Sequence, residues 1–224
     1  ELTARRTLGF PALLLLLTSL VAPLGAQAVT GRYDATFRKY SKRFFGVGFD
    51  WRLFKAQGMT ESNLNPNARS WVGARGLMQL MPSTFREIQS RNPAFASLDD
   101  PEWNIAAGIQ YDRRLWLLWA EDSVHDHDHH DFMLASYNAG RVPLLRAQAI
   151  ARRQFLDHRD WHSVVSVAPA VPKWRHRETL DYVVRIEGNL ARLHPDGKAV
   201  RPYVLIDTVL VEAPESLLAL RRTR

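Results

Sequence analysis

The chain has 224 residues, no cysteine, and 30 Lys and Arg against 23 Asp and Glu, for a net charge of +7. This excludes a disulfide-stapled scaffold and leaves length for one domain with a substantial core and a small appendage. The basic balance suits a polyanionic partner, either nucleic acid or a cell wall rich in peptide carboxylates.

Arg5-Arg6 precede an apolar run from Leu8 to Leu24, and Ala26-Gln27-Ala28 gives the small-x-small pattern of a signal-peptidase site. The run falls short of the roughly 20 apolar residues that span a bilayer. Residues 1–28 are therefore expected to be a signal peptide cleaved after Ala28. Left uncleaved, the segment would anchor the chain to the inner membrane. Cleavage removes Glu1, Arg5 and Arg6 and leaves a net charge of +6. Export selects the wall over nucleic acid, which an exported protein rarely meets.

The remainder reads as mainly α-helical. Tyr33, Phe37, Tyr40 and Phe44 mark one apolar helix face, which Gly46 and Gly48 end. Asp50 can cap a second helix that starts with Trp51, Leu53 and Phe54, runs to about Glu61 and is stopped by Asn65-Pro66. After a polar loop from Asn67 to Arg75, Pro82-Ser83-Thr84 opens a short helix. The longest helical pattern runs from Glu102 to Trp119, with Trp103, Ile105, Ile109, Leu115, Trp116 and Trp119 available to the core. A buried helical turn from Phe132 to Tyr137 should end at Gly140, and further helices should cover Val142 to Phe155 and Arg175 to Leu193. Tyr203 to Val211 is β-branched and reads as one strand in need of a partner. The expected organisation is a domain over 29–193 and a tail over 194–224.

Three blocks carry the chemistry. Glu61-Ser62 is followed fourteen residues after Ser62 by Gly76-Leu77-Met78-Gln79, and later by Ala135-Ser136-Tyr137-Asn138-Ala139-Gly140. The layout puts one carboxyl group beside an apolar loop and an aromatic-amide segment. That suits a single proton donor in a sugar-binding cleft. Breaking a glycosidic bond requires protonating a poor leaving oxygen, so the acid must keep its proton near neutral pH. Glu61 ends an apolar-faced helix, and the Leu77-Met78 loop can fold over it. Ser62 offers a hydroxyl to the sugar or to the carboxyl, Gln79 a donor and acceptors to an acetamido group, and Tyr137 a flat apolar face to a sugar ring. Asn138 can bridge backbone groups. In a fourth block, Arg177-Glu178-Thr179-x-x-Tyr182, Glu178 and Tyr182 share a helix face. Taken singly, each block has a plainer reading: a helix end, core Leu and Met, a helix cap, a half-buried tyrosine.

Together and in this order, the blocks resemble the Slt-type lytic transglycosylases of the goose-lysozyme superfamily, glycoside hydrolase family 23. The resemblance is densest from Glu61 to Ala68 and from Gly73 to Pro82, and Asp100-Pro101-Glu102-x-Asn104-Ile105-x-Ala107-Gly108 adds to it. It implies a lysozyme-like helical fold with no metal, no cofactor and no second acid, and a monomer acting on peptidoglycan glycan strands in the periplasm or cell envelope. It also implies cleavage between N-acetylmuramic acid and N-acetylglucosamine without water, leaving a 1,6-anhydromuramoyl end. Glu61 would be acid and then base, with the Tyr182 hydroxyl beside it. Ser62, Met78, Gln79, Tyr137 and Asn138 would orient it or hold substrate. A lysozyme-like hydrolase and a non-catalytic wall-binding scaffold are the alternatives. Glycosidases that add water generally use two carboxyl groups, and Asp99, Asp100, Glu102 and Glu178 are the candidates for a second. The tract His125 to Asp131 lacks fixed ligand spacing and is expected to be a solvated loop, with no metal site. Lys173, Arg175 and Arg177 form a basic cluster read as a solvated helix start or a contact for stem-peptide carboxylates.

Overall fold

A computed structural model describes residues 31–194 and the backbone of two strands farther on. The chain divides into a unit over residues 1–32 and a second unit from Tyr33 to Arg224, which holds every element below. The expected signal segment lies outside the described residues.

Eight α-helices make up the described domain: α1 (Asp34–Phe45), α2 (Arg52–Ser62), α3 (Pro82–Arg91), α4 (Pro101–Glu121), α5 (His129–Ala139), α6 (Arg141–Arg153), α7 (Trp161–Val167) and α8 (His176–Leu193). Among the described residues, no helix is long and apolar enough to cross a membrane. Helix α4 lies at the centre, against α1 and α5, and α8 packs on α2 and α5. The core between them holds Phe54, Met78, Ile105, Ile109, Trp119, Phe132 and Ile186, all fully buried. Trp103 and Trp116 pack against that core half-buried, whereas Trp71 stands 93% exposed.

Local chemistry sets the helix ends. Asp100 caps α4 by accepting the Glu102 and Trp103 amides, and Pro101 fills the first helical position. Helix α2 stops earlier than Asn65-Pro66. Asn63 and Leu64 both take left-handed backbone, and the Leu64 amide reaches back to the Gly58 carbonyl at 3.3 Å. Leu64 is thereby buried beside Gly58.

Three expectations change. The β-branched run is two strands, β1 (Tyr203–Ile206) and β2 (Val209–Glu212), paired antiparallel from Tyr203 with Glu212 to Ile206 with Val209. Its partner is thus its own second half, which satisfies backbone groups that one strand leaves open. The His125–Asp131 tract is not a solvated loop. A 3₁₀ turn over Asp126–Asp128 leads into α5, and Asp128, His129 and Asp131 are buried. Asp128 accepts the Trp161 amide at 3.0 Å, and the His129 ring lies 4.7 Å from Trp116. Helix α7 had no counterpart in the periodicity of the sequence. Asp160 caps it through the Ser163 amide, and Trp161, Val164 and Val165 bury one side of it.

Candidate active site

Glu61 sits in the last turn of α2, half-buried where that turn meets α8. Tyr182, in the second turn of α8 and 2% exposed, donates its hydroxyl to Glu61 Oε1 at 2.6 Å. Farther along α8, Asn189 donates to the Thr60 hydroxyl at 3.0 Å, a second polar tie between the helices. Burial pushes the Glu61 carboxyl up to about 7, against the Tyr182 hydrogen bond and the positive charge of Arg185, which both favour the anion. A carboxyl so placed carries a proton about half the time at neutral pH, as an acid that later serves as a base requires.

The loop between α2 and α3 closes over this turn, held by groups that the sequence scatters widely. Ser62 donates to the Leu77 carbonyl at 2.9 Å, so its hydroxyl hydrogen fastens loop to helix and does not go to the Glu61 carboxyl. Asn104, buried on α4, accepts the Met78 amide at 2.8 Å and donates to the carbonyls of Arg75 and Leu98 at 3.0 and 3.1 Å. Gly76 adopts φ +77°, and a Cβ there would stand 2.3 Å from the Asn104 side-chain nitrogen. Only glycine fits both conditions. The Met78 side chain is fully buried over Gly108, so it packs into the core and its backbone is what borders the site.

Tyr137 is half-buried at the end of α5. Its hydroxyl donates to the Met78 carbonyl at 2.8 Å, and its ring lies 5.3 Å from that of Tyr111. Gln79, with φ 44°, donates to the Gly76 carbonyl at 2.9 Å and the Ala68 carbonyl at 3.2 Å. Asn138 is exposed, and its side chain has no hydrogen bond among the described residues. Ser62 and Tyr137 are therefore linked through one loop, which Gln79 shapes, while Tyr182 reaches Glu61 directly from α8 and Asn138 stands exposed next to Tyr137.

The four carboxylates that could supply a second acid have other engagements. Asp99 pairs with Arg69 and Arg75, Asp100 caps α4, Glu102 accepts from Lys39 and Tyr40, and Glu178 pairs with Arg175 at 2.7 Å. The carboxyl that shares Glu61's surroundings is one that the sequence motifs do not include. Asp112, fully buried on α4, receives a hydrogen bond from Gln57. Its signal was available: Ile105, Ile109, Asp112 and Trp116 follow the helical spacing of the core face, and a carboxylate at such a position calls for a reason.

A groove of about 760 Å³ runs along the first turns of α8, lined by Trp174, Arg175, Arg177, Glu178, Asp181 and Arg185 among others. Arg185 joins it electrostatically to Glu61. Elsewhere, His127, Asp128 and Asp160 bring one ligand atom each within 4.8 Å of one another. Both carboxylates already hold the start of α7, through the Trp161 and Ser163 amides.

Known proteins share this architecture. The family model of the transglycosylase SLT domain matches residues 38–158. Tyr182 lies beyond that match, so its place beside Glu61 rests on the geometry above. A membrane-bound lytic murein transglycosylase F of Shewanella pealeana is 35% identical over 151 residues, covering 67% of this chain and 29% of the relative. The protein of the same name from Vibrio cholerae is 34% identical over 145 residues, covering 65% and 25%. The chain thus spans less than a third of these relatives' length. Among solved structures, the 70-kDa soluble lytic transglycosylase of Escherichia coli is 27% identical with a TM-score of 0.50, covering 71% of this chain and 23% of that one. The lytic transglycosylase Slt of Pseudomonas aeruginosa, as an inactive mutant, aligns at a TM-score of 0.56 and 22% identity over 82% and 27%, a likeness of fold.

Proposed function

Since the chain belongs to the transglycosylase SLT family and has its lysozyme-like helical fold, we propose that it is a lytic transglycosylase that cuts peptidoglycan. The observation that carries the reading is the half-buried Glu61, held at 2.6 Å by Tyr182 and raised to about 7.

In this mechanism Glu61 gives its proton to the glycosidic oxygen between N-acetylmuramic acid and N-acetylglucosamine. The bond from C1 to that oxygen breaks, and the sugar's 2-acetamido group stabilises the positive charge at C1. Glu61, now an anion, takes the proton of the muramic C6 hydroxyl as that oxygen attacks C1. The product carries a 1,6-anhydro ring, and Glu61 ends protonated as it began. Tyr182 orients the carboxyl through both states. Ser62 and Tyr137 hold the loop that walls it, and Gln79 and Asn138 lie where a glycan can meet them. Met78 contributes through the loop's backbone.

The relatives bear the name of murein transglycosylases, which supports a place in the cell envelope. There residues 1–28 would serve export, residues 29–193 the reaction, and the segment from 194 would be a tail. Arg177 and Arg185 in the groove along α8 suit stem-peptide carboxylates. Mass spectrometry of muropeptides released by the purified protein tests the reaction. Anhydro ends, lighter by one water than hydrolysed reducing ends, are expected, and Glu61→Gln should release none. Hydrolysed ends would instead establish a muramidase, and an equally active Glu61→Gln would remove Glu61 from the chemistry.

A further inference from the structure

Behind Glu61 lies a polar pair that the reaction above does not use. Asp112 on α4 and Gln57 on α2 are both 0% exposed, and Gln57 Nε2 donates to Asp112 Oδ1 at 3.2 Å. The other oxygen of each partner, Asp112 Oδ2 and Gln57 Oε1, is buried and meets no donor among the described residues. Buried acceptors are normally matched with hydrogens, and a buried carboxylate without a cation is costlier than either. As an anion, Asp112 would leave two unmatched oxygens at the two ends of one hydrogen bond.

A single proton resolves both. Placed on Asp112 Oδ2, it turns an acceptor into an O–H donor, and the acceptor that lacks a hydrogen is the amide oxygen of the residue already bonded to that carboxyl. Acid and amide then close a ring of two antiparallel hydrogen bonds, N–H to O on one side and O–H to O on the other.

The neighbouring charges agree. Arg113, next in α4, lies over the Phe45 ring at 5.3 Å, and Arg114 pairs with Glu87. The ionisable groups coupled to Asp112 are Glu61 from α2, Tyr111 from α4, Tyr137 from α5 and Tyr182 from α8, all acids, while the cations nearby act on its neighbours, Arg114 on Tyr111 and Arg185 on Glu61. Burial and the Glu61 charge both hold the Asp112 carboxyl well above the usual carboxylate range.

We propose that Asp112 is protonated in the folded protein and forms a cyclic acid–amide pair with Gln57, a neutral clasp beneath Glu61. Gln57 and Glu61 are four residues apart on one face of α2. The clasp therefore fixes the rotation of the helix that aims Glu61, and it adds no second negative charge when Glu61 becomes an anion. Asp112 is a positioning residue in this scheme. Its protonation stands apart from the lytic reading, and only its bearing on Glu61 rests on that reading.

Two measurements test the proposal. Infrared difference spectra of the parent against Asp112→Asn at neutral pH should show the C=O stretch of an un-ionised carboxyl that the variant lacks, unchanged between about pH 5 and 8. Carboxylate bands in its place would overturn the proposal. Asn can form the same ring with Gln57, so Asp112→Asn should fold, and the alkaline limb of its kcat/KM profile should stay within about 0.3 pH units of the parent's. A limb lower by about one unit or more would reveal that a negative charge next to Glu61 had been removed. Failure of the variant to fold would count against the ring as well. If the parent releases no muropeptide, the functional reading falls, and the infrared band still decides the state of Asp112.

Discussion

Replacing Glu61 by Gln should stabilise the protein in a manner that depends on pH. Folding raises the Glu61 carboxyl from 4.5 to about 7, chiefly by burial. Between those values the folded state holds a proton that the unfolded chain has released, so the parent loses stability as pH rises through that window. Each pH unit between the folded and unfolded values is worth about 1.4 kcal/mol, so the loss at pH 7 is about 3 kcal/mol. Gln is neutral throughout and keeps an oxygen for the Tyr182 hydroxyl, so it escapes the loss while retaining the hydrogen bond. The variant and the parent should therefore match below about pH 4.5. Their difference should grow to about 3 kcal/mol by about pH 7 and then level off. Urea unfolding of both proteins at intervals from about pH 4 to pH 8 measures this directly, because groups remote from Glu61 are common to both and cancel, and the coupled Asp112 cancels as well while it keeps its proton in both folded proteins. A difference independent of pH, or a parent more stable than the variant at neutral pH, would refute the claim that burial holds the proton on Glu61.

Tyr182→Phe removes the hydrogen bond that favours the Glu61 anion. The alkaline limb of kcat/KM should move upward while the rate at the optimum falls about tenfold or more, as a pH-rate profile would show. Asn104→Ala leaves the Met78 amide and two carbonyls without their partner. It should cost about 2–4 kcal/mol in urea unfolding, with Gln57 and Asp112 untouched. Asp34→Ala strands Lys55, whose side chain is 4% exposed and whose ammonium lies 2.5 Å from Asp34. A loss of about 3–5 kcal/mol is expected by thermal or urea unfolding.

The helices were readable wherever an apolar stripe persisted for several turns. Tyr33, Phe37 and Tyr40 did so for α1, and Ile105, Ile109 and Trp119 for α4; all six are buried. Helix α7 has only 7 residues, too few for a period to emerge, and it is fixed instead by two aspartate caps, one of them from residue 128. Those same caps account for the misreading of the His125–Asp131 tract. Its polarity suggests solvent, yet Asp128 is buried because it satisfies the start of a helix that begins 33 residues later. Composition records what a side chain is, while burial depends on which backbone group arrives beside it.

The same limit governed the site. Glu61 and Tyr182 were legible as members of motifs, and the bond between them spans 121 positions, a separation that no local pattern encodes. Ser62 looked like a ligand group because hydroxyls bind sugars, but the fold offers its hydrogen the Leu77 carbonyl. A shared electrostatic logic explains why these pieces lie together. Gln57 and Tyr182 give the carboxyls neutral donors, Tyr137 stands near them as a neutral phenol, and the cation that acts on Glu61 is Arg185, from the exposed side of α8. A buried arginine or lysine in their place would have drawn the proton off Glu61 and left a stable ion pair. The cluster withholds that partner, so Glu61 stays poised between its two protonation states at the expense of folding stability.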